Sequence, residues 1–364
     1  MDMKKINILH TEWSDGWGGQ EIRIINEAKA LKEKYNVEIY LACRENSKIL
    51  QKANEAGIKT FTLPFKSNFD IKTIYGLIKI IKQNQIKIVN THSGKDTWVG
   101  GIAAKLAGVK FIRTRHLSIK INPSKLNFIN NLADFIITTG ESVKENMIKE
   151  NGIDKDKIIS IPTGVDEDIF NPTIYDKNEC LKIFNLENGK TYIGYLAVLR
   201  GFKRHDIFLK IALKIHKDYP NTCFLIAGDG PKKQYLINFI NQNDMSKYVK
   251  LLGHCKNPEF FLTVIDIFMT TSEKEGVPQS LMQALLMQKA CIATDVGSVK
   301  DLYNNSNFVL TKFDEESLYI ELKTLLDVKE KIKFYQNNAR EFVKNNFTKD
   351  IMAGRIYEIY KKIL

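Results

Sequence analysis

No apolar run in this chain approaches ~18 residues, so the sequence predicts no membrane-spanning helix. The first ten residues, MDMKKINILH, pass straight into an apolar strand without the h-region of a secretory signal. The five cysteines (Cys43, Cys180, Cys223, Cys255 and Cys291) are scattered, and no two form a CxxC pair. Several lie in apolar runs, which reads as reduced core thiols in a cytosolic protein. No HExxH or Cys/His cluster offers a zinc site, and no GxSxG elbow offers a hydrolase serine. Gly94-Lys95-Asp96-Thr97 approaches a P-loop, but Val89 stands where the first glycine is required and Asp96 where Ser or Thr belongs. Asp166-Glu167-Asp168 could hold a divalent ion under a diphosphate, yet its place behind the Pro162-Thr163-Gly164 turn favours a solvated loop or helix cap. With no aromatic-interleaved basic stripe and no nucleic-acid module, no nucleic-acid partner is expected.

What is present is a globular composition, 44% hydrophobic and 26% charged, in 364 residues, a length that suggests two domains. The net charge of +12 calls for an anionic partner, which an anionic membrane surface, a nucleotide substrate or, on charge alone, nucleic acid could supply. A Lys-rich, Asn-rich and Ile-rich composition explains the preference for Lys over Arg but not the surplus over acidic residues. Strand and helix patterns alternate throughout, which argues for α/β architecture with parallel sheets covered on both faces. Ile6–His10 reads as a strand, followed by the glycine turn Ser14–Gly19 and a helix over Glu21–Tyr35. Strands over Ile86–Asn90 and Lys110–Thr114 end near His92 and His116, at the carboxyl ends where ligands bind in such sheets. The pattern restarts after Pro172. We therefore expect one domain over 1–172 and a second over 173–345, with a final helix in 346–364 packing back on the first.

The most informative stretch is Thr271–Gly297. The polar loop Ser272–Pro278 delivers the chain into an apolar helical run from Gln279 to Lys289, then into a short strand, Ala290–Ala293. A Gly-Val-Pro turn ahead of a helix aims the amides of Gln279, Ser280 and Leu281 outward, which makes an anion seat. Glu275, just before that seat, suits hydroxyls better than phosphates, and Gln283 one turn inside could reach a second polyol. An ordinary loop-helix-strand unit with a solvated glutamate pair is the competing reading of the same residues.

Six fragments in order carry a resemblance. They are Gly-Trp-Gly-Gly-Gln-Glu at 16–21, Thr-Arg-His at 114–116, and Ile-Pro-Thr-Gly-Val-Asp at 161–166 with Phe170 and Pro172. Leu-Arg-Gly-Phe-Lys at 199–203, Ala-Gly-Asp-Gly-Pro at 227–231 and Glu-Gly-Val-Pro at 275–278 follow. Over nearly its whole length the chain resembles the retaining glycosyltransferases of family 4, in a branch met in lipopolysaccharide and surface-polysaccharide assembly. The resemblance implies a GT-B fold, two Rossmann-like domains facing each other across a cleft, the first (1–172) on the acceptor side and the second (173–345) binding the nucleotide sugar. It implies that the amides of Gly18 and Gly19 approach a donor diphosphate and that Arg200 and Lys203 neutralise it. Glu275 would hold donor-sugar hydroxyls, and the backbone of Gly276, Val277, Pro278, Gln279, Ser280 and Leu281 would hold sugar and phosphate. Gln283 would face a ribose diol, the backbone near Cys255 the base, and His116 the sugar. His92, Asp96 and Arg115 are expected on the acceptor side. Two features depart from the family pattern: Gln283 replaces a second glutamate, and Arg200 stands three residues before Lys203 rather than five or six.

The expected activity is transfer from a nucleotide diphosphate sugar, a UDP-sugar by preference, to a glycan or lipid-linked acceptor, with no metal or other cofactor required. The expected location is the cytoplasm, with peripheral contact to the inner membrane face. A Lys-bearing helix over Ile71–Gln83 motivates that contact, although a core-packed helix with a solvated Lys face fits the same pattern. Two rival readings are a non-catalytic nucleotide-sugar binder, prompted by Gln283, and an epimerase or hydrolase on the same fold.

Overall fold

The computed structural model describes residues 5–116, 121 and 128–364. The chain divides into two compact units, one comprising 1–164 and 349–364, the other 165–348. The sequence pattern placed these divisions at 172 and 345. The observed points have a backbone cause: Val165 N donates to Phe347 O (2.8 Å) and Val165 bridges to Thr348, so the entry and exit of the second unit are paired to each other.

In the first unit the strands are β1 (Ile6–Glu12), β2 (Val37–Cys43), β3 (Lys59–Thr62), β4 (Ile88–Thr91), β5 (Lys110–Arg115), β6 (Phe135–Thr138) and β7 (Ile158–Ser160). All pair in parallel in the order β3-β2-β1-β4-β5-β6-β7. Parallel strands need crossovers, supplied by α1 (Gly19–Lys34), α2 (Lys48–Glu55), α3 (Ile71–Gln83), α4 (Gly94–Leu106) and α5 (Glu141–Asn151). The strands carry consecutive apolar residues because both sheet faces are covered: Ile8, Leu9, Ile88, Val89, Phe111 and Ile112 have no exposure.

The second unit repeats the plan with α6 (Lys177–Ile183), β8 (Thr191–Leu196), α7 (His205–Asp218), β9 (Thr222–Ala227), α8 (Lys233–Gln242), β10 (Val249–Gly253), α9 (Pro258–Val264), β11 (Ile267–Met269), α10 (Gln279–Leu286), β12 (Ala290–Thr294), β13 (Val309–Thr311), α11 (Glu315–Asp327) and α12 (Lys329–Asn346). Its sheet order is β10-β9-β8-β11-β12-β13, again parallel. Arg340 of α12 donates to the carbonyls of Leu286 (2.5 Å) and Phe170 (2.6 Å), so the last turn of α10 does not leave that carbonyl orphaned. The last helix, α13 (Lys349–Ile363), belongs to the first unit. Met352, Ala353, Ile356 and Tyr360 bury against Ile24 and Leu31 of α1, and Tyr357 stacks on Tyr35 with centroids 4.2 Å apart.

Each sheet reverses its strand order once, between β1 and β4 in the first unit and between β8 and β11 in the second. Crevices beyond the carboxyl ends of strands at such switch points are where open α/β sheets bind ligands.

Candidate active site

In the second unit, β8 leads into Arg200, a single 3-10 turn over Gly201–Lys203, and Arg204 in the left-handed region (φ 49°). The neighbouring strand β11 leads into Thr270–Pro278 and then α10. Lys203 and Glu275, 72 residues apart, meet across this switch point with Nζ 2.5 Å from Oε1. Their side chains are only 17% and 9% exposed, which makes the ion pair stronger than a surface one. Ser272 Oγ donates to the same oxygen at 2.6 Å.

Behind the pair lies a buried support. Tyr195 on β8 has its hydroxyl 2.8 Å from both Lys203 O and Ser272 Oγ; because the Ser272 proton goes to Glu275, the single phenol proton is shared between these two acceptors. Burial holds that phenol well above its usual range, with the charge of Glu275 adding to the effect, so it stays a hydroxyl. Thr271 Oγ1 donates to Arg204 O (2.8 Å), Thr294 Oγ1 to Ser272 O (2.7 Å), and Glu273 N to Phe202 O (2.8 Å). Two glycines make the loops fit. A Cβ on Gly297 (φ +58°) would stand 1.9 Å from Glu275 O, and one on Gly228 (φ +152°) 1.9 Å from Ala197 O.

Arg200 is exposed near this pair in sequence, whereas Arg204, next to Lys203, is engaged by both oxygens of Asp206 (3.0 and 2.9 Å). Gly276 is half-buried, Val277 and Pro278 are buried, and Pro278 caps the N-terminus of α10. Gln279 and Ser280 are partly exposed in its first turn, with Leu281 in the core and Gln283 half-exposed. Cys255, two residues beyond β10, is partly buried against the core, and burial pushes its thiol up to about 11. It is no nucleophile at neutral pH.

In the first unit the switch point is built around three imidazoles. His10 near the end of β1, His92 after β4 and His116 after β5 form a chain: His10 Nδ1 to His92 Nε2 is 2.8 Å, and His92 Nδ1 to His116 Nε2 is 2.9 Å. Burial lowers the pKa of all three, that of His10 to about 3 with the Arg23 charge assisting, so the rings are neutral.

His92 and Asp96, expected on the acceptor side, are both engaged within the first unit. Both ring nitrogens of His92 are spent on His10 and His116. Asp96 has no exposure, and its oxygens accept from His92 N (2.8 Å), Thr11 Oγ1 (3.1 Å), Ser93 N (2.9 Å) and Ser93 Oγ (2.8 Å). Its work is to cap α4 and hold the turn that carries His92. Arg115 ends β5 half-buried, beside His116 in sequence. Gly18 caps α1, and its amide donates to Glu21 Oε2 at 2.8 Å, so a diphosphate would have to compete with Glu21 for it; Gly19 opens the helix.

Several members of these clusters were not singled out from sequence: His10, Glu12, Ser93, Tyr195 and Ser272. Glu12 is buried and takes hydrogen bonds from Ser93 Oγ (2.7 Å), Ser14 N (2.8 Å) and Gln20 Nε2. Desolvation, with the nearby Asp96 charge, raises its pKa. The available signal was positional, since His10 stands near the end of an apolar strand as His92 and His116 do.

The halves of the chain match two known families in turn. Residues 17–169 match the family described as Glycosyltransferase Family 4, and residues 176–342 match Glycosyl transferases group 1. A UDP-Gal:alpha-D-GlcNAc-diphosphoundecaprenol alpha-1,3-galactosyltransferase of Escherichia coli is 26% identical over 377 residues, covering 98% of this chain and 97% of that protein. The O-antigen biosynthesis glycosyltransferase WclY of Escherichia coli is 23% identical, covering 95% of each. A crystal structure of a glycosyltransferase from Rickettsia africae ESF-5 superposes with a TM-score of 0.91 at 21% identity, covering 99% of both chains. Two parallel sheets in this strand order, matched end to end by a glycosyltransferase structure, and two family matches in turn identify the chain as a Glycosyltransferase Family 4 domain followed by a Glycosyl transferases group 1 domain, in the GT-B fold.

Proposed function

We propose that this glycosyltransferase moves a sugar from a UDP-sugar to a lipid-diphosphate-linked glycan in surface-polysaccharide assembly, with retention at the anomeric carbon and no required metal ion. The observation that carries the reading is the Lys203–Glu275–Ser272 constellation at the head of α10. It sets a point cation and a hydroxyl-binding carboxylate beside a helix N-terminus, the combination that a sugar diphosphate presents in complement. The name of the Escherichia coli relative supports the donor class and the acceptor class.

On this reading Lys203 and the exposed fork of Arg200 neutralise the leaving diphosphate, and the amides of Gln279, Ser280 and Leu281 add to them. Glu275, with Gly276, Val277 and Pro278, orders the donor-sugar hydroxyls. Gln283 takes the ribose diol, and the backbone near Cys255 takes the base. His116 donates a hydrogen bond to the sugar. Glu275 Oε1 is held by Lys203 and Ser272, which suits binding better than attack on carbon. The bond from the anomeric carbon to the diphosphate oxygen breaks, the acceptor oxygen bonds on the same face, and its proton passes to the departing phosphate. Positive charge from Lys203, Arg200 and the helix end takes the part that a metal ion plays elsewhere. A panel of UDP-sugars with a lipid-diphosphate sugar acceptor, read by NMR of the product anomeric centre, tests this. An inverted product, or activity abolished by EDTA, refutes the retention or the metal independence.

The acceptor class and the net charge of +12 favour peripheral contact with an anionic membrane. A built surface supports it. Phe69, Ile71, Tyr75 and Phe128 are exposed, and Trp98 packs between Phe69 (5.3 Å) and Phe128 (5.2 Å). Exposed Lys66, Lys72 and Lys79 flank them on and before α3. Apolar side chains ringed by lysines match the boundary between acyl chains and anionic headgroups. In flotation with phosphatidylglycerol vesicles the protein should rise with the lipid, and Ile71→Asp/Tyr75→Asp should stay in the dense fraction. Equal flotation of the two removes the assignment.

A further inference from the structure

Three histidines joined nitrogen to nitrogen share their protons as a set. A neutral imidazole carries one N–H, so each nitrogen-to-nitrogen contact needs a donor on one side and a lone pair on the other. Two arrangements satisfy both contacts. In one, every ring is protonated on Nδ1: His10 donates to His92, His92 donates to His116, and His116 keeps an N–H on its outer nitrogen. In the other, every ring is protonated on Nε2, the direction reverses, and the outer nitrogen of His116 is an acceptor.

The far end of the chain decides between them. His10 Nε2 is buried and has no hydrogen-bond partner. Protonated, it would be a buried N–H without an acceptor in a place already rich in such donors. Asn90, which pairs in register with His10 across β1 and β4, leaves Nδ2 without an acceptor, and so does Arg23 at Nη2. The buried guanidinium of Arg23 acts electrostatically on all three rings. A buried lone pair left bare costs less than a buried N–H left bare, so the arrangement with the His10 lone pair inward is favoured and the donors of the whole chain point outward.

We propose that His10 and His92 are positioning residues that fix His116 in its Nδ1–H tautomer, so that it offers the sugar nucleotide a neutral N–H donor and not a base. The catalytic meaning rests on the reading of His116 as the residue that meets the sugar; the tautomer itself does not. Selectivity follows from it. A fixed N–H favours an acceptor oxygen on the donor sugar or its phosphate and gives nothing to a cation.

The test is two-bond 1H–15N correlation on protein labelled with 15N-histidine, with resonances assigned by single substitutions. The expected pattern in the wild type is the Nδ1–H signature for His10, His92 and His116. His10→Phe removes the first donor and should let His116 populate the Nε2–H form. His10→Gln retains an amide N–H toward His92 and should restore the wild-type pattern. With a UDP-sugar donor, kcat should fall about tenfold or more in His10→Phe with KM for donor little changed, and should recover in His10→Gln, since a misassigned tautomer removes a donor that acts in the transition state. Nε2–H signatures in the wild type, or an unaltered His116 in His10→Phe, overturn the proposal. If the Nδ1–H pattern holds but no sugar is transferred, the proposed function fails while the tautomer assignment survives.

Discussion

The sharpest perturbation of the candidate site is one methyl group on Gly297. Alanine there meets two separate costs. The first is the left-handed backbone at φ +58°, about 1–2 kcal/mol for a residue with a Cβ, partly offset by the lower entropy of alanine in the unfolded chain. The second is contact: the Cβ would lie 1.9 Å from Glu275 O and 3.0 Å from its carbonyl carbon, where real Cβ atoms essentially never come within 3.0 Å. Relief needs about 1 Å of movement by backbone, since no flexible side chain stands in the way. Gly189 isolates the first cost, because at φ +82° an added Cβ there has nothing within 4 Å. Gly189→Ala should therefore lose about 1 kcal/mol in urea unfolding and keep full activity. Gly297→Ala should lose at least ~2 kcal/mol more, or yield by moving the Glu275 loop.

The kinetic consequence follows from what Glu275 holds. A displacement of about 1 Å opens the 2.5 Å contact with Lys203 and the 2.6 Å contact with Ser272, and misplacement on that scale costs on the order of 10²-fold in kcat/KM. The assay is donor turnover in the two glycine variants, Lys203→Ala, and the double variant Lys203→Ala/Gly297→Ala. If Gly297→Ala acts by parting the pair, the double variant should lose little beyond Lys203→Ala, a non-additivity expected of residues in contact. Full activity in Gly297→Ala, or strictly additive losses, would refute the account.

Three further outcomes follow. Lys203→Ala should lower turnover at least ~10³-fold, as the loss of a principal oxyanion-stabilising group does, while stability falls only ~1–3 kcal/mol for the Glu275 carboxylate left with Ser272; comparable losses in folding and turnover would count against a catalytic Lys203. Tyr195→Phe removes the hydroxyl that joins Lys203 O to Ser272 and should cost ~1–2 kcal/mol with a raised donor KM, measured by chemical unfolding and initial rates. His205 is buried, stacks on Tyr195 at 4.5 Å, and has no partner on either ring nitrogen. Desolvation lowers its pKa from 6.5 to about 4, so the unfolded chain takes up a proton on acidification before the native one does. Stability from this group is therefore intact above pH ~6.5 and lost progressively toward pH ~4. Between pH 7.5 and 5.5 the wild type should lose about 1.4 kcal/mol more than His205→Phe, and parallel urea profiles would remove His205 as the cause.

The apolar runs made most of the fold legible. β1, β2, β4 and β8 are largely buried, and their short runs rich in aliphatic and aromatic residues announce them. β13 was invisible because three residues at a sheet edge carry no pattern of their own; it exists through its pairing with β12. α12 escaped for a different reason. It buries only Ala339 and Val343 in eighteen residues, so it lacks the stripe by which a helix is read. In the site, the loop from Ser272 to Pro278 was visible as a helix-leading turn, and Lys203 through the resemblance. The buried partners were not. Tyr195 and His10 sit within strands whose every position is apolar or buried, and nothing in a parallel strand marks which polar residue turns toward a ligand loop. Asp96 shows the converse: a carboxylate in a conspicuous motif caps its own helix and ties Thr11 and the His92 backbone to it.

The second unit also explains why its polar site tolerates so little change in backbone and more in side chain. Lys203 and Glu275 are placed by main-chain bonds between loops that follow different strands. Leu199 N donates to Asp229 O (3.0 Å), Lys232 N to Leu199 O (3.0 Å), and Glu273 N to Phe202 O (2.8 Å), which ties the loops after β8, β9 and β11 into one piece. Gly228, Gly230 and Gly297 are the points at which those loops touch backbone to backbone, with Cβ clearances of 1.9, 2.8 and 1.9 Å. The side chains supply charge; the glycines supply position. Gln283 in place of a second glutamate alters one hydrogen-bonding group on α10 and leaves this frame untouched.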